Sequence, residues 1–208
     1  MKAKKLLIIE IALFVGIAAA LLWGIGAVRT QQEISDKVVR LHVVANSDSE
    51  EDQALKLRVR DAILARTTAL LEASDDRSEA EGLIRGQLLE LEDIAVREIT
   101  AAGYDYSVEA RLAELDFPTR EYESFTLPAG NYLALQVVIG EGEGKNWWCV
   151  VFPPLCMSAA SVTKQQAEDA FISVGLTPEQ YKIVTESQST PKYRIRFKFL
   201  ETLKSIFG

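Results

Sequence analysis

The sequence predicts an α+β fold, a mainly antiparallel sheet with two long amphipathic helices packed on one face. The run Val38–Ala45 is apolar and β-branched, as a mostly buried strand requires. Residues 49–103 carry apolar side chains at helical spacing in two stretches, separated by Asp75-Asp76-Arg77-Ser78. Short β-rich runs punctuated by Gly and Pro then fill 104–152. Of the 208 residues, 48% are hydrophobic and 25% charged, with a net charge of −7. That balance excludes a disordered chain, and the acidity disfavours general binding to nucleic acid phosphates.

The first element is an export signal or membrane anchor, residues 1–28. Lys2, Lys4 and Lys5 precede Leu6–Val28, 23 residues whose one charge is Glu10. A span needs about 20 apolar residues, and a cleavable signal has a shorter stretch followed by small residues. Gly24 with Gly26, or Ala18 with Ala20, could serve as the −3/−1 cleavage pair. The three lysines stay on the cytoplasmic side under the positive-inside bias, which puts residues after Arg29 outside. Removing residues 1–28 leaves 20 Lys/Arg and 29 Asp/Glu, a net charge of −9. The expected exported domain is 29–190, followed by a basic amphipathic tail, 191–208.

After the strand 38–45, Asn46-Ser47-Asp48-Ser49 starts a helix. Ser49 and Asp52 have capping-box spacing, and Glu50, Glu51 and Asp52 suit the positive end of the helix dipole. Leu55, Val59, Ala62, Ile63 and Leu70 form one apolar face to about Glu72. A second helix carries Ile84, Leu88, Leu91 and Ala95 and stops at Gly103. Strands are expected at 104–115, 132–139 and 147–152, the last two joined as a hairpin through Glu141–Asn146, with 116–130 a long connection. Thr163 and Gln166 cap a helix over 164–174, and Thr177-Pro178 opens a shorter element. Tyr193, Ile195, Phe197 and Phe199 alternate with Arg194, Arg196 and Lys198 as in a strand, and Leu200, Leu203 and Phe207 have the spacing of a short amphipathic helix.

His42 is the one histidine, so every histidine mechanism depends on it. A triad would have to use Ser47 and Asp48, which turn and cap chemistry already explains. A dyad with Cys149 would place a thiol in an apolar strand, where its pKa rises. The simpler expectation is a strand histidine whose ring bonds to the helix-start loop. Cys149 and Cys156 flank a Pro-Pro turn and suit either a disulfide or two buried thiols, and too few ligands accompany them for a metal. Gly140–Lys145 holds two glutamates that would repel phosphate, so no nucleotide site is expected, and no cofactor or small-molecule substrate. Trp147 and Trp148 point to opposite faces of their strand, so one indole can face outward as an anchor for a partner or membrane interface.

Val39-Arg40-Leu41-His42-Val43-Val44-Ala45-Asn46-Ser47-Asp48-Ser49, with Leu127-Pro128-Ala129-Gly130 and Gly144-Lys145-Asn146-Trp147-Trp148-Cys149 running on to Phe152-Pro153-Pro154-Leu155-Cys156, resembles the stage II sporulation protein R family. The resemblance spans most of 38–156 and implies a signalling protein made in the forespore. It would be exported into the space between forespore and mother cell, secreted or N-terminally anchored. There it would activate a membrane-embedded aspartyl protease, stage II sporulation protein GA, that processes the pro-form of sigma factor E. The family supplies no catalytic residues to carry over, so a non-enzyme is expected. The expected contact surface is His42, Asn46, Asp48 and the exposed member of Trp147 and Trp148. The competing expectation is an exported envelope hydrolase using His42.

Overall fold

The computed structural model describes residues 2–72, 74–156 and 162–186. Helix α1 spans Lys2–Ser35, followed by β1 (Val39–Val44), α2 (Glu50–Leu71), α3 (Arg77–Gly86) and α4 (Leu88–Ala101). Next come β2 (Val108–Phe117), β3 (Arg120–Glu121), β4 (Thr126–Leu127), β5 (Gly130–Ile139) and β6 (Asn146–Phe152), then α5 (Lys164–Ser173) and α6 (Pro178–Glu186). The class is α+β, as the sequence predicts.

The main sheet has the order β2-β5-β1-β6, with β1 and β5 parallel and the other pairs antiparallel. The expected hairpin between 132–139 and 147–152 does not form, because β1 lies between its two strands. Both β1 and β5 are buried on both faces along most of their length, and both lie at the centre, where two neighbours satisfy each backbone. The connection from β5 to β6 must therefore pass over the end of β1, where it meets Asn46–Asp48. Within the expected connection 116–130, β3 and β4 form a small second sheet.

Ser49 caps α2 by accepting a bond from the Asp52 amide at 3.1 Å. The buried stripe of α2 is Leu55, Val59, Ile63, Leu64 and Leu71. The second expected long helix is two helices, broken at Gln87 (φ −117°, ψ 8°). Gly82 and Gly86 weaken a continuous helix by about 1 kcal/mol each, and the break lets α3 reach β1 while α4 lies along α2 and β2.

Each face of the sheet has its own core. Leu41, Val43, Leu135 and Val137 pack under α2, α3 and α4. On the other face Ala134, Val150, Phe117 and Tyr132 pack with Ile34 of α1, Phe125, Phe171 of α5 and Val184 of α6. Helices thus cover both faces, whereas one was expected. Apolar side chains on the second face allow α1, α5 and α6 to dock: Val38, just before β1, and Ala134 and Val150 of the strands are all buried there.

Cys149 and Cys156 are joined by a disulfide, with their Cα atoms 5.6 Å apart. On the loop-closure estimate so short a ring contributes about 2.5 kcal/mol. Among the described residues, α1 is the helix long and apolar enough to cross a membrane. Its Phe14, Leu22 and Trp23 are exposed. The expected boundary between residues 28 and 29 falls inside α1, whose last turn enters the domain. Ile34 is fully buried, and Glu33 accepts a bond from Gln180 Nε2 at 2.8 Å. The expected strand and amphipathic helix of 191–208 lie outside the described residues.

Candidate partner-binding site

Strand register decides which side chains meet on the second face of the sheet. Arg111 of β2, Gln136 of β5, His42 of β1 and Trp148 of β6 are successive neighbours in one row across all four strands. Arg40, two residues before His42, lies one row away on the same face.

Hydrogen bonds run along that row. Arg111 Nε donates to Gln136 Oε1 at 2.7 Å. An arginine can only donate, so the Gln136 amide is fixed with its nitrogen toward His42, whose Nδ1 lies 3.0 Å from Gln136 Nε2. His42 Nδ1 must then accept, which leaves the proton on Nε2 to be donated to Asn146 Oδ1 at 2.7 Å. The imidazole is therefore neutral with a defined tautomer. Burial holds its pKa below the ordinary 6.5, with Arg40 and Arg111 acting the same way against the bond to Asn146. The ring bonds to β5 and β6 side chains and not, as expected, to the helix-start loop.

Aromatic rings surround this row. Phe117 makes edge contacts with His42 at 6.0 Å and Trp148 at 5.7 Å between centroids. Arg120 lies over the Trp148 ring at 3.6 Å. Arg40 is fully buried, its guanidinium 3.9 Å from the Phe117 centroid and 4.9 Å from that of Tyr132. It donates to Tyr122 Oη at 2.7 Å, while among the described residues its Nε and Nη1 have no hydrogen-bond partner. Among the described residues no carboxylate pairs with Arg40 or Arg120. A recess of about 120 Å³, lined by His42, Leu115, Asp116, Phe117, Gln136 and Trp148, opens beside the row.

The other expected contact residues lie elsewhere. Asn46 donates to Asp52 Oδ2 at 2.9 Å and accepts from the Glu141 amide at 3.0 Å. Asp48 accepts from the Lys145 amide at 2.7 Å. Both side chains tie the β5–β6 connection to the start of α2. Asp52 is buried, and although burial raises its pKa, bonds from Ser47, Asn46 and Tyr106 outweigh that and hold it below its ordinary value. Trp147 is on the opposite face, half-exposed, with Arg60 over its ring at 4.2 Å. The more exposed tryptophan is thus Trp147, away from His42, and of the named residues the structure brings together His42 and the less exposed Trp148.

Arg40, Arg111, Arg120, Phe117 and Gln136 were missed by sequence reasoning. Arg40 was visible as a charge at an inward position of an apolar strand, in phase with His42. The others depend on β5 lying beside β1, which local pattern does not reveal.

The His42 assignment has a direct check. A long-range ¹⁵N–¹H spectrum of the ring at pH 7 is expected to show the Nε2–H tautomer, and its titration midpoint to fall below 6.5. Because the unfolded chain takes up the proton first, stability should fall as pH drops below 6.5, and His42→Gln should flatten that part of the profile. A midpoint at or above 6.5 would contradict the donor order along the row.

The architecture is that of an α+β module behind an apolar N-terminal helix, with an aromatic recess on one sheet face. The profile of the family described as stage II sporulation protein R matches residues 35–162. Stage II sporulation protein R of Bacillus subtilis (strain 168) is 31% identical over 224 aligned positions, covering 99% of this chain and 100% of that protein. No solved structure matches. The chain belongs to the stage II sporulation protein R family.

Proposed function

We propose that this chain is an intercellular signal of sporulation, made in the forespore and exported, that activates a membrane-embedded aspartyl protease, stage II sporulation protein GA, to process pro-sigma E in the mother cell. The observation that carries this reading is the full-length match to stage II sporulation protein R. The apolar α1 fits export or anchoring into the space between the two cells. Activation then amounts to differential binding: the domain prefers the protease's active arrangement, and a preference of a few kcal/mol changes its population greatly. The contact belongs on the His42–Trp148 face, where an aromatic anchor and cations gather.

A hydrolase using His42 is less well supported, because both ring nitrogens are engaged by amide side chains and both cysteines are joined in a disulfide. The test is co-expression of the full chain with the candidate protease and its pro-sigma substrate in a non-sporulating host. Processing is expected to require the chain and to vanish when the protease's own active-site aspartate is replaced. Processing that persists with the inactivated protease would place the proteolysis in this chain and overturn the reading.

A further inference from the structure

We infer that the recess beside His42 is a receptor for a carboxylate, a glutamate side chain presented by an acidic segment of a protein partner. The inference rests on the proposed contact face and gives the partner its chemistry.

Along the row the side-chain acceptors are already engaged, and the acceptor left in the lining is the carboxylate of Asp116. Gln136 Oε1 is taken by Arg111, His42 Nδ1 by Gln136 and Asn146 Oδ1 by His42. The unused donors are Trp148 Nε1 in the lining, buried and without a partner among the described residues, and, outside the lining, the Asn146 amide nitrogen and the free nitrogens of Arg111 and Arg120. Behind Phe117 lies Arg40, fully buried, with two guanidinium nitrogens unpartnered among the described residues. A buried cation with no carboxylate beside it sets up a positive potential in the adjoining low-dielectric recess. Yet residues 29–208 carry a net charge of −9, so these cations are gathered against the trend of the domain.

Two carboxylates stand nearby. Glu109 contacts Arg111 at 3.2 Å, but the side chains are 63% and 52% exposed, so the pair is weak and readily exchanged for a better-seated acid. Asp116 borders the recess and is engaged by Asn131 Nδ2 at 3.1 Å. Its charge disfavours a dianion such as phosphate more than a monoanion. The recess volume of about 120 Å³ suits a short side chain, and Leu115 and Phe117 offer apolar walls for methylenes. Those features favour glutamate over a phosphate dianion, and the experiment separates it from a lipid phosphodiester, which is also a monoanion.

The test uses the full chain in phosphatidylcholine nanodiscs, ¹⁵N-labelled, with the Trp148 indole N–H assigned through Trp148→Phe. The probe is a capped peptide of alternating Gly and Glu, with its Gln counterpart as control. A saturable downfield shift of the Trp148 indole N–H with the Glu peptide alone is expected. The double variant Arg111→Gln/Arg120→Gln, whose side chains are exposed and leave the cores intact, should weaken binding about tenfold. No shift with the Glu peptide, an equal shift with the Gln peptide, or a shift unaltered in the double variant would overturn the inference. So would the same response to inorganic phosphate or to phosphatidylglycerol in the nanodisc, which would make the site one for phosphate groups. Because the readout is peptide binding, it stands apart from the processing assay, and failure there alone would count against protease activation and leave the carboxylate site in place.

Discussion

Replacing Arg40 with methionine is expected to leave the protein at least as stable, by up to about 3 kcal/mol, while reducing sigma-factor processing about tenfold or more. The guanidinium is fully buried, and among the described residues it has one hydrogen bond and no acid beside it. Taking an ion out of water costs several kcal/mol even after relaxation, and a single bond to Tyr122 with two ring contacts offsets only part of that. Methionine fills a similar volume among Phe117, Tyr132 and Tyr122 without the charge. On the usual scaling for a domain of this size the melting temperature should rise by up to about 10 °C. Arg40→Lys should be worse than either residue, because a compact ammonium is more strongly hydrated and cannot lie flat on the rings. A methionine variant that melts lower and still supports full processing would make Arg40 a structural residue. The pairing of gained stability with lost activity is what distinguishes a charge kept for binding.

Gly144→Ala is expected to cost about 2–4 kcal/mol and to lower the melting temperature by about 4–12 °C. A Cβ at this position would run into the carbonyl oxygen of Ser47 and would lie 2.8 Å from the Ala45 Cβ, so the obstacle is backbone that cannot swing aside. The approach is close because the connection is laced to the end of β1: the Gly144 amide donates to Ala45 O at 2.9 Å, and that of Glu143 to Asn46 O at 3.1 Å. Lys145 completes the clamp, its amide on Asp48 and its carbonyl accepting from the buried Lys56 Nζ at 2.9 Å. Pushing the connection away strips Lys56 of an acceptor and shifts Asn146, the partner of His42 Nε2. The His42 tautomer signal should therefore broaden or exchange in the same variant. Calorimetry and the ring spectrum together check this, and an alanine variant as stable as the parent would contradict the contact.

The same lacing explains the role of Asn46 and Asp48. The sequence places them at the end of an apolar strand, a common position for residues that bind a partner. Their side chains instead satisfy amides of a connection 95 and 97 residues away. Nothing local announces such a partner. A short polar side chain has the same pattern whether it caps a loop or faces a ligand.

Local chemistry was enough for much of the fold. The β-branched run gave β1, the Ser49 cap and acidic first turn gave the start of α2, and the Thr163–Gln166 capping box gave α5, since each depends on neighbours within four residues. The apolar N-terminal run, the α+β class and the motifs that carry the family resemblance were likewise present in the chain alone. The break at Gln87, the insertion of β1 between β5 and β6, and the covering of the second face were decided by tertiary packing. The candidate site belongs to that second group. Arg111, Gln136, His42 and Trp148 are far apart in sequence, and only a parallel β1–β5 pair with β6 on the other side brings them into one row. Strand order is set by which apolar faces can be buried together, a property of the whole sheet and not of any one strand.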